Sequence, residues 1–134
     1  MEDLAQAVRE SFYIARSGKP GAVLIDIAKD AQQAEGEFVY PEKVNLPGYK
    51  PHVRGNQRQV KQAADMINGA RKPVLIVGRG VLIARAEGEL RALAEKAHIP
   101  VVTTLLGKSA LPETHPLCLG MGGMHGEAYA NLAI

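Results

Sequence analysis

The stretch that decides the fold is PVLIVGRG, residues 73–80, in which an apolar run stops at a glycine turn. Residues 73–77 are apolar throughout, a pattern typical of a strand buried on both faces of a parallel sheet. A helical face follows, and residues 99–103 form the next apolar run. Residues 73–103 therefore predict a right-handed strand–helix–strand crossover with parallel strands. The residues of the helical face are Leu90, Leu93, Ala94 and Ala97.

Working outward, the N-terminal part predicts a helix followed by a strand. Leu4, Val8, Phe12 and Ala15 recur at helical spacing, and residues 22–27 form a short apolar run. We predict that this strand is buried on both faces. The fold class predicted is therefore α/β, a partial Rossmann-like parallel sheet with flanking helices.

A proline-spaced polar segment separates the two α/β parts. Residues 36–55 show neither helical nor strand periodicity, which favours an extended linker. Asn56 is a candidate cap for a helix whose apolar face begins at Val60 and ends at Ile67. The predicted domains are thus residues 1–35, a linker at 36–55, and residues 56–134.

Composition excludes several functional classes. A net charge of +2 does not indicate nucleic-acid binding, and the single cysteine, Cys118, permits no internal disulfide. Cys118 fits a small core side chain near a strand end. No apolar run approaches the ~18–20 residues of a membrane span, so we expect a cytoplasmic protein, or an organellar one if eukaryotic, without membrane contact.

Two glycine segments are candidate nucleotide contacts. Residues 78–80 stand where a strand passes into a helix, so they form either a tight structural turn or a phosphate contact. The dinucleotide fingerprint lacks its third glycine at Ile83. Residues 120–126, GMGGMHG, form either a turn-rich connection or a loop that lies against a planar ring. Met124 offers a soft contact to such a ring, and His125 lacks partners for a metal site.

Lys19 and Lys29 flank the first predicted strand as surface charges or as contacts to an anionic group. The sequence shows no nucleophile elbow, Walker loop or paired-histidine motif. We therefore predict no catalytic residue and no metal ligand within the chain.

Three motifs together resemble the catalytic subunits of the acetolactate synthase (acetohydroxyacid synthase) family. They are SGKPGAVLIDIAKD at residues 17–30, TTLLG at 103–107 and GMGGMHG at 120–126. The resemblance covers essentially the whole chain. It implies a piece of a three-domain enzyme: the end of the pyrimidine-binding domain and the first part of the middle, FAD-binding domain. The alternatives are another FAD-bearing thiamine-diphosphate enzyme, of the glyoxylate carboligase or pyruvate oxidase type, and a plain nucleotide-binding structural module.

The resemblance implies a transferase that condenses two pyruvates, or pyruvate with 2-oxobutyrate, in branched-chain amino-acid biosynthesis. Thiamine diphosphate and Mg²⁺ would bind outside this chain, which would be inactive alone and would join the remainder of its parent chain. A homo-oligomer, dimer or tetramer, with a regulatory subunit is also implied. Lys29 matches a lysine at the substrate entrance. The residues that match the flavin contacts of the family are Lys19, Gly78, Arg79, Gly80, Thr104, Leu105, Leu106, Gly123, Met124, His125 and Gly126.

Overall fold

A computed structural model describes residues 3–134 of the chain. The chain divides into two compact units, the first ending at Val60 and the second beginning at Lys61. No helix within residues 3–134 has both the length and the apolar character that crossing a bilayer requires.

The first unit is built on helix α1, Leu4–Arg16, as the apolar spacing predicted, and also contains the short helix α2, Lys29–Gln33. A polar face of α1 holds the backbone of residues 41–45. The Arg9 guanidinium donates hydrogen bonds to the carbonyl oxygens of Pro41 and Glu42, and the Gln6 amide donates to that of Lys43 at 3.2 Å. Because these bonds reach backbone atoms, they fix the path of the segment without depending on its side chains.

The predicted strand at residues 22–27 is wrong. This segment is irregular, and its Leu24 side chain is 91% exposed. A parallel strand exists only beside a neighbour that completes its backbone hydrogen bonds, and every strand pairing in the described residues lies in the second unit. Apolar composition alone therefore does not make these residues a strand.

The segment predicted as a linker contains no helix or strand. Residues 36–55 belong to the first unit, where Tyr49 meets Tyr13 of α1 edge-to-face, with ring centroids 6.1 Å apart. Ser17 Oγ lies 3.1 Å from the Tyr49 hydroxyl. The segment therefore contacts α1 rather than extending away from it. The predicted domain boundaries stay a prediction.

The second unit contains a three-stranded parallel sheet in the order β1–β2–β3. Helix α3, Gln57–Gly69, begins in the first unit and continues into the second. The remaining elements are β1 (Leu75–Val77), α4 (Arg79–Ala84), α5 (Glu87–Ala97), β2 (Val101–Thr103), a 3-10 turn (Leu105–Gly107), β3 (Cys118–Met121) and α6 (Ala128–Ala133). The predicted parallel crossover and the α/β fold class are confirmed.

The core of the second unit lies between the sheet and α5. Val101 and Val102 of β2 are buried, and Leu111 packs with Leu90 and Ala94 of α5. The predicted face of α5 is only half buried, because Leu93 and Ala97 are exposed. No residue of α3 is buried, and Val60 on its predicted apolar face is 54% exposed.

The glycine-dense segment is not a loop over its whole length. Residues 118–121 pair with β2 as strand β3, in which Thr103 is the partner of Met121. Thr103 Oγ1 also donates to the Gly120 carbonyl oxygen at 3.4 Å. Glycine weakens a strand by its flexibility, but here the pairing with a buried central strand outweighs that cost. Only the part after Met121 is a turn.

Candidate functional site

The segments that follow the three strands lie at one edge of the sheet. The Thr104 N–H donates to the Val77 carbonyl oxygen at 2.8 Å, and the Gly122 N–H donates to that of Thr103 at 3.0 Å. Each segment therefore starts beside its neighbour. We call this region the carboxyl edge, formed by residues 78–80, 104–107 and 122–126. The outer strands β1 and β3 are about 10 Å apart, because β2 lies between them.

The first segment of the carboxyl edge leaves open space. Gly78 has extended backbone angles (φ −108°, ψ −174°), and neither Gly78 nor Gly80 has a positive φ. A Cβ added at Gly78 would meet Thr104 Oγ1 at 3.7 Å, an ordinary contact, and one added at Gly80 would meet nothing within 4 Å. Neither backbone geometry nor packing therefore requires glycine at these two positions. Arg79, also exposed, supplies a positive charge beside them.

The second segment crosses the end of β1 at close range. The Gly107 N–H donates to the Thr104 carbonyl oxygen at 2.9 Å and closes the 3-10 turn. A Cβ on the buried Gly107 would collide with the Val77 carbonyl oxygen and lie 3.0 Å from Gly78 Cα. Leu105 and Leu106, by contrast, are 69% and 61% exposed. Gly107 is therefore required by the close approach of this turn to β1, a role that the sequence motif did not reveal.

The third segment is a turn between β3 and α6 in which Gly123 and Gly126 are required by the structure. Gly123 has φ +110°, in the left-handed region, and a Cβ on Gly126 would collide with the Met121 carbonyl oxygen. The Glu127 N–H donates to that same oxygen at 2.9 Å. Met124, at the tip, is 91% exposed. The segment is therefore a hydrogen-bonded turn that presents Met124, not a flexible connection.

Asn131 of α6 holds this turn from the helix side. Its Oδ1 accepts a hydrogen bond from the Gly123 N–H at 2.7 Å, and its Nδ2 donates to the Gly123 carbonyl oxygen at 2.9 Å. None of the three sequence motifs includes Asn131, and they therefore assign it no role. The sequence feature connected with this contact is the spacing of eight residues between Gly123 and Asn131.

A cavity of about 310 Å³ lies beside the turn and β3. His125 and Glu127 line it together with Lys108 and Glu113, which form an ion pair. The hydrogen bond to Glu113 raises the pKa of Lys108. The lining therefore carries both signs of charge. Within residues 3–134, no three potential ligands among His, Cys, Asp and Glu are grouped for a metal ion.

His115 connects α5 to the start of β3. Its Nε2 lies 3.1 Å from Glu95 Oε1, and its Nδ1 accepts from the Leu117 N–H at 3.2 Å. An accepting Nδ1 places the ring proton on Nε2, which therefore donates to Glu95. The hydrogen bond from Arg91, and then the one from His115, lowers the pKa of Glu95.

Comparison with known proteins identifies the second unit. Residues 60–134 match the family model described as the central domain of thiamine pyrophosphate enzymes. The chain belongs to this family. The match begins within α3 and includes all three segments of the carboxyl edge, so these segments lie within a thiamine pyrophosphate enzyme central domain.

The chain is also similar to acetolactate synthase large subunits over both of its units. The acetolactate synthase large subunit of Corynebacterium glutamicum is 52% identical over 128 residues, which are 96% of this chain and 20% of the relative. That of Mycobacterium tuberculosis is 50% identical over 133 residues, 99% of this chain and 22% of the relative. The chain thus spans about a fifth of the length of these curated relatives. The resemblance inferred from the three motifs is confirmed.

A solved structure supports the fold of the central-domain family. A candidate thiamin diphosphate-dependent enzyme from Mycobacterium smegmatis superposes with a TM-score of 0.74 at 27% identity, covering 92% of this chain and 23% of the other. The chain is therefore similar to a thiamin diphosphate-dependent enzyme in its three-dimensional fold as well as in its sequence.

Two predicted site residues lie outside the central-domain match. Lys19 follows Gly18, which has φ +59°, and Lys29 begins α2; both side chains are exposed in the first unit. The structure brings together the predicted residues of the second unit at the carboxyl edge, and it places these two lysines in the other unit.

Proposed function

We propose that this chain contributes to the central domain of an acetolactate synthase large subunit and that its carboxyl edge contacts bound FAD. The assembled protein would condense two pyruvates, or pyruvate with 2-oxobutyrate. Relatives about 50% identical over nearly the whole chain support this choice. We propose that thiamine diphosphate and Mg²⁺ are held by residues beyond this chain and that the chain alone is inactive.

The observation that carries the FAD proposal is the space beside Gly78 and Gly80. Glycine at these positions is required by neither φ nor packing, whereas Gly107, Gly123 and Gly126 are required by one or the other. Glycine costs conformational entropy on folding, so two such glycines together at the end of β1, unlike the single unconstrained Gly88 within α5, call for another explanation. Close approach of a ligand to the backbone, at the strand ends of a parallel sheet, provides one.

The residues present fit a flavin nucleotide. Open backbone at residues 78–80 and the exposed Thr104 hydroxyl suit a polar phosphate and ribose portion, with Arg79 as counter-charge. Leu105, Leu106 and Met124 offer exposed apolar surface to a planar ring. In this proposal FAD supplies a structural surface of the active site and undergoes no net redox change. Lys19 is proposed to contact an anionic group of the flavin nucleotide as a point charge, and Lys29 is proposed as a substrate-entrance residue.

A matched pair of variants tests the flavin contact. Gly80 and Gly88 are both the second residue of a helix, and neither would place a Cβ within 4 Å of another atom. Gly80→Leu should weaken FAD binding by about tenfold or more, equivalent to ~1.4 kcal/mol, while Gly88→Leu should not. The measurement is titration of FAD with the purified chain, followed by flavin fluorescence. Equal affinities for the two variants and the wild type would exclude a ligand at Gly80.

A chimera tests the proposed reaction. Residues 1–134 replace the matching segment of the C. glutamicum relative, and acetolactate formation is assayed with thiamine diphosphate, Mg²⁺ and FAD. We expect product from pyruvate and from pyruvate with 2-oxobutyrate. The unaltered relative is the control. A folded chimera that retains FAD but forms neither product contradicts the proposed function, and turnover of glyoxylate instead would assign it to another carboligase.

A further inference from the structure

We infer that Asn131 is a positioning residue that sets the β3–α6 turn for the flavin; the flavin part of this inference rests on the proposed function. The side-chain amide of Asn131 bonds to both polar groups of Gly123, accepting from its N–H at 2.7 Å and donating to its carbonyl oxygen at 2.9 Å. One side chain therefore fixes the position of one residue of the turn at two points.

Gly123 needs such a restraint. Its φ of +110° is accessible to glycine, and a Cβ built on it would meet nothing within 4 Å, so packing does not hold it in place. Glycine also samples more backbone conformations than other residues. Besides Asn131, the Gly123 carbonyl oxygen accepts from the Gly126 N–H at 3.0 Å. The Asn131 amide is thus what ties the turn to the rest of the domain through Gly123.

The backbone of Asn131 is itself held in place by α6. Its neighbour Ala130 is fully buried, and the Asn131 N–H donates to the Glu127 carbonyl oxygen at 3.0 Å within α6. Neither feature uses the Asn131 side chain. Removing the side-chain amide should therefore release Gly123 while α6 stays in place.

The restraint on Gly123 also affects the two residues that follow it, Met124 and His125. Met124 is 91% exposed and His125 lines the cavity beside β3, so both are presented by the backbone that Asn131 holds. A turn already held in its binding conformation loses less entropy when a ligand binds. Asn131 thus contributes to flavin affinity and to the ring environment without touching the flavin.

The test compares three variants of the chain. Asn131→Ala removes both hydrogen bonds. Asn131→Asp keeps an acceptor for the Gly123 N–H but lacks the donor for its carbonyl oxygen. Asn56→Ala is the control, because Asn56 Oδ1 also accepts from two backbone N–H groups, those of Arg58 at 3.0 Å and Gln59 at 3.4 Å, at the start of α3. It makes the same chemical change far from the turn in sequence.

Two measurements are made on each variant. Amide hydrogen exchange at Gly123, followed by NMR, reports the restraint without flavin. FAD titration and the visible circular dichroism of the bound flavin report its effect on the ligand. Asn131→Ala should accelerate Gly123 exchange and raise the FAD dissociation constant about 5- to 30-fold, with Asn131→Asp intermediate and Asn56→Ala unchanged in both.

The outcomes separate the two proposals. Unchanged Gly123 exchange in Asn131→Ala overturns the restraint itself. Faster exchange with unaltered FAD affinity and flavin dichroism overturns the positioning role for the ligand. A wild-type chain and a chimera that both fail to bind FAD overturn the proposed flavin site and the ligand role together, while faster Gly123 exchange in the variant would still uphold the restraint.

Discussion

Substituting Gly107 by alanine should destabilise the second unit, although alanine is only one methyl group larger. The added Cβ would meet backbone atoms: the Val77 carbonyl oxygen at colliding distance, its carbonyl carbon at 2.9 Å and Gly78 Cα at 3.0 Å. Backbone atoms at the end of a paired strand cannot rotate away as a flexible side chain can. The 3-10 turn must therefore lift from β1, or β1 must shift.

The magnitude follows from two opposing contributions. Overpacking a well-packed site costs about 1–3 kcal/mol, and more where the neighbours cannot move. Alanine restricts the unfolded chain more than glycine does, which returns about 0.4–1 kcal/mol. We expect a net loss of ~2 kcal/mol in the free energy of unfolding. For a unit of this size, such a loss lowers the melting temperature by about 8–16 °C.

Gly88→Ala is the matched control for this prediction. Gly88 lies in α5 with nothing within 4 Å of an added Cβ, so alanine there should stabilise by about 0.5–1 kcal/mol. Thermal and urea unfolding of both variants, followed by circular dichroism, should give shifts of opposite sign. A Gly107→Ala chain as stable as the wild type would refute the close approach of the 3-10 turn to β1.

Further predictions concern the core and its charged surroundings. Leu111→Ala should lower the free energy of unfolding by about 2–5 kcal/mol because its side chain is fully buried, whereas Leu132→Ala, at 88% exposure, should change it by less than about 0.5 kcal/mol; urea denaturation of both checks this. The pKa of Glu95 is lowered in the folded chain by Arg91 and His115, so the stability it contributes is present above the ordinary carboxyl value of 4.5 and is lost as the pH falls below it. Glu95→Gln should therefore flatten that part of the stability profile, and an unaltered acid limb in thermal melts would contradict the assignment.

The sequence predicted the fold where strands have neighbours in the same chain. The apolar runs before Gly78 and Thr104 became paired parallel strands, since each supplies the other's backbone partners. The equally apolar residues 22–27 did not become a strand, because pairing is a property of two segments and composition describes only one. Strand β3 was missed for the converse reason. Its glycines made the segment resemble a loop, although β2 was available as its partner strand.

The site was predictable to the level of segments but not of contacts. The predicted crossover was enough to bring residues 78–80 and 104–106 to one edge, as expected for the ends of parallel strands. Residues 123–126 reach that edge through β3, which the sequence did not predict. Asn131 and Gly107 were missed because their roles depend on distances across the turn and across β1. No periodicity or spacing in a sequence encodes such distances.

The glycines of the carboxyl edge show why tertiary geometry is needed to separate structural from functional residues. In the sequence, Gly80 and Gly123 look alike, as members of short glycine clusters after apolar runs. In the structure, Gly123 adopts a φ that disfavours other residues, while Gly80 adopts an ordinary one with empty space beyond its Cα. The fold therefore accounts for the first glycine and not for the second. At the carboxyl edge, a glycine that the fold does not account for is where a ligand is best sought, and this difference makes Gly80 the sharper test of flavin binding.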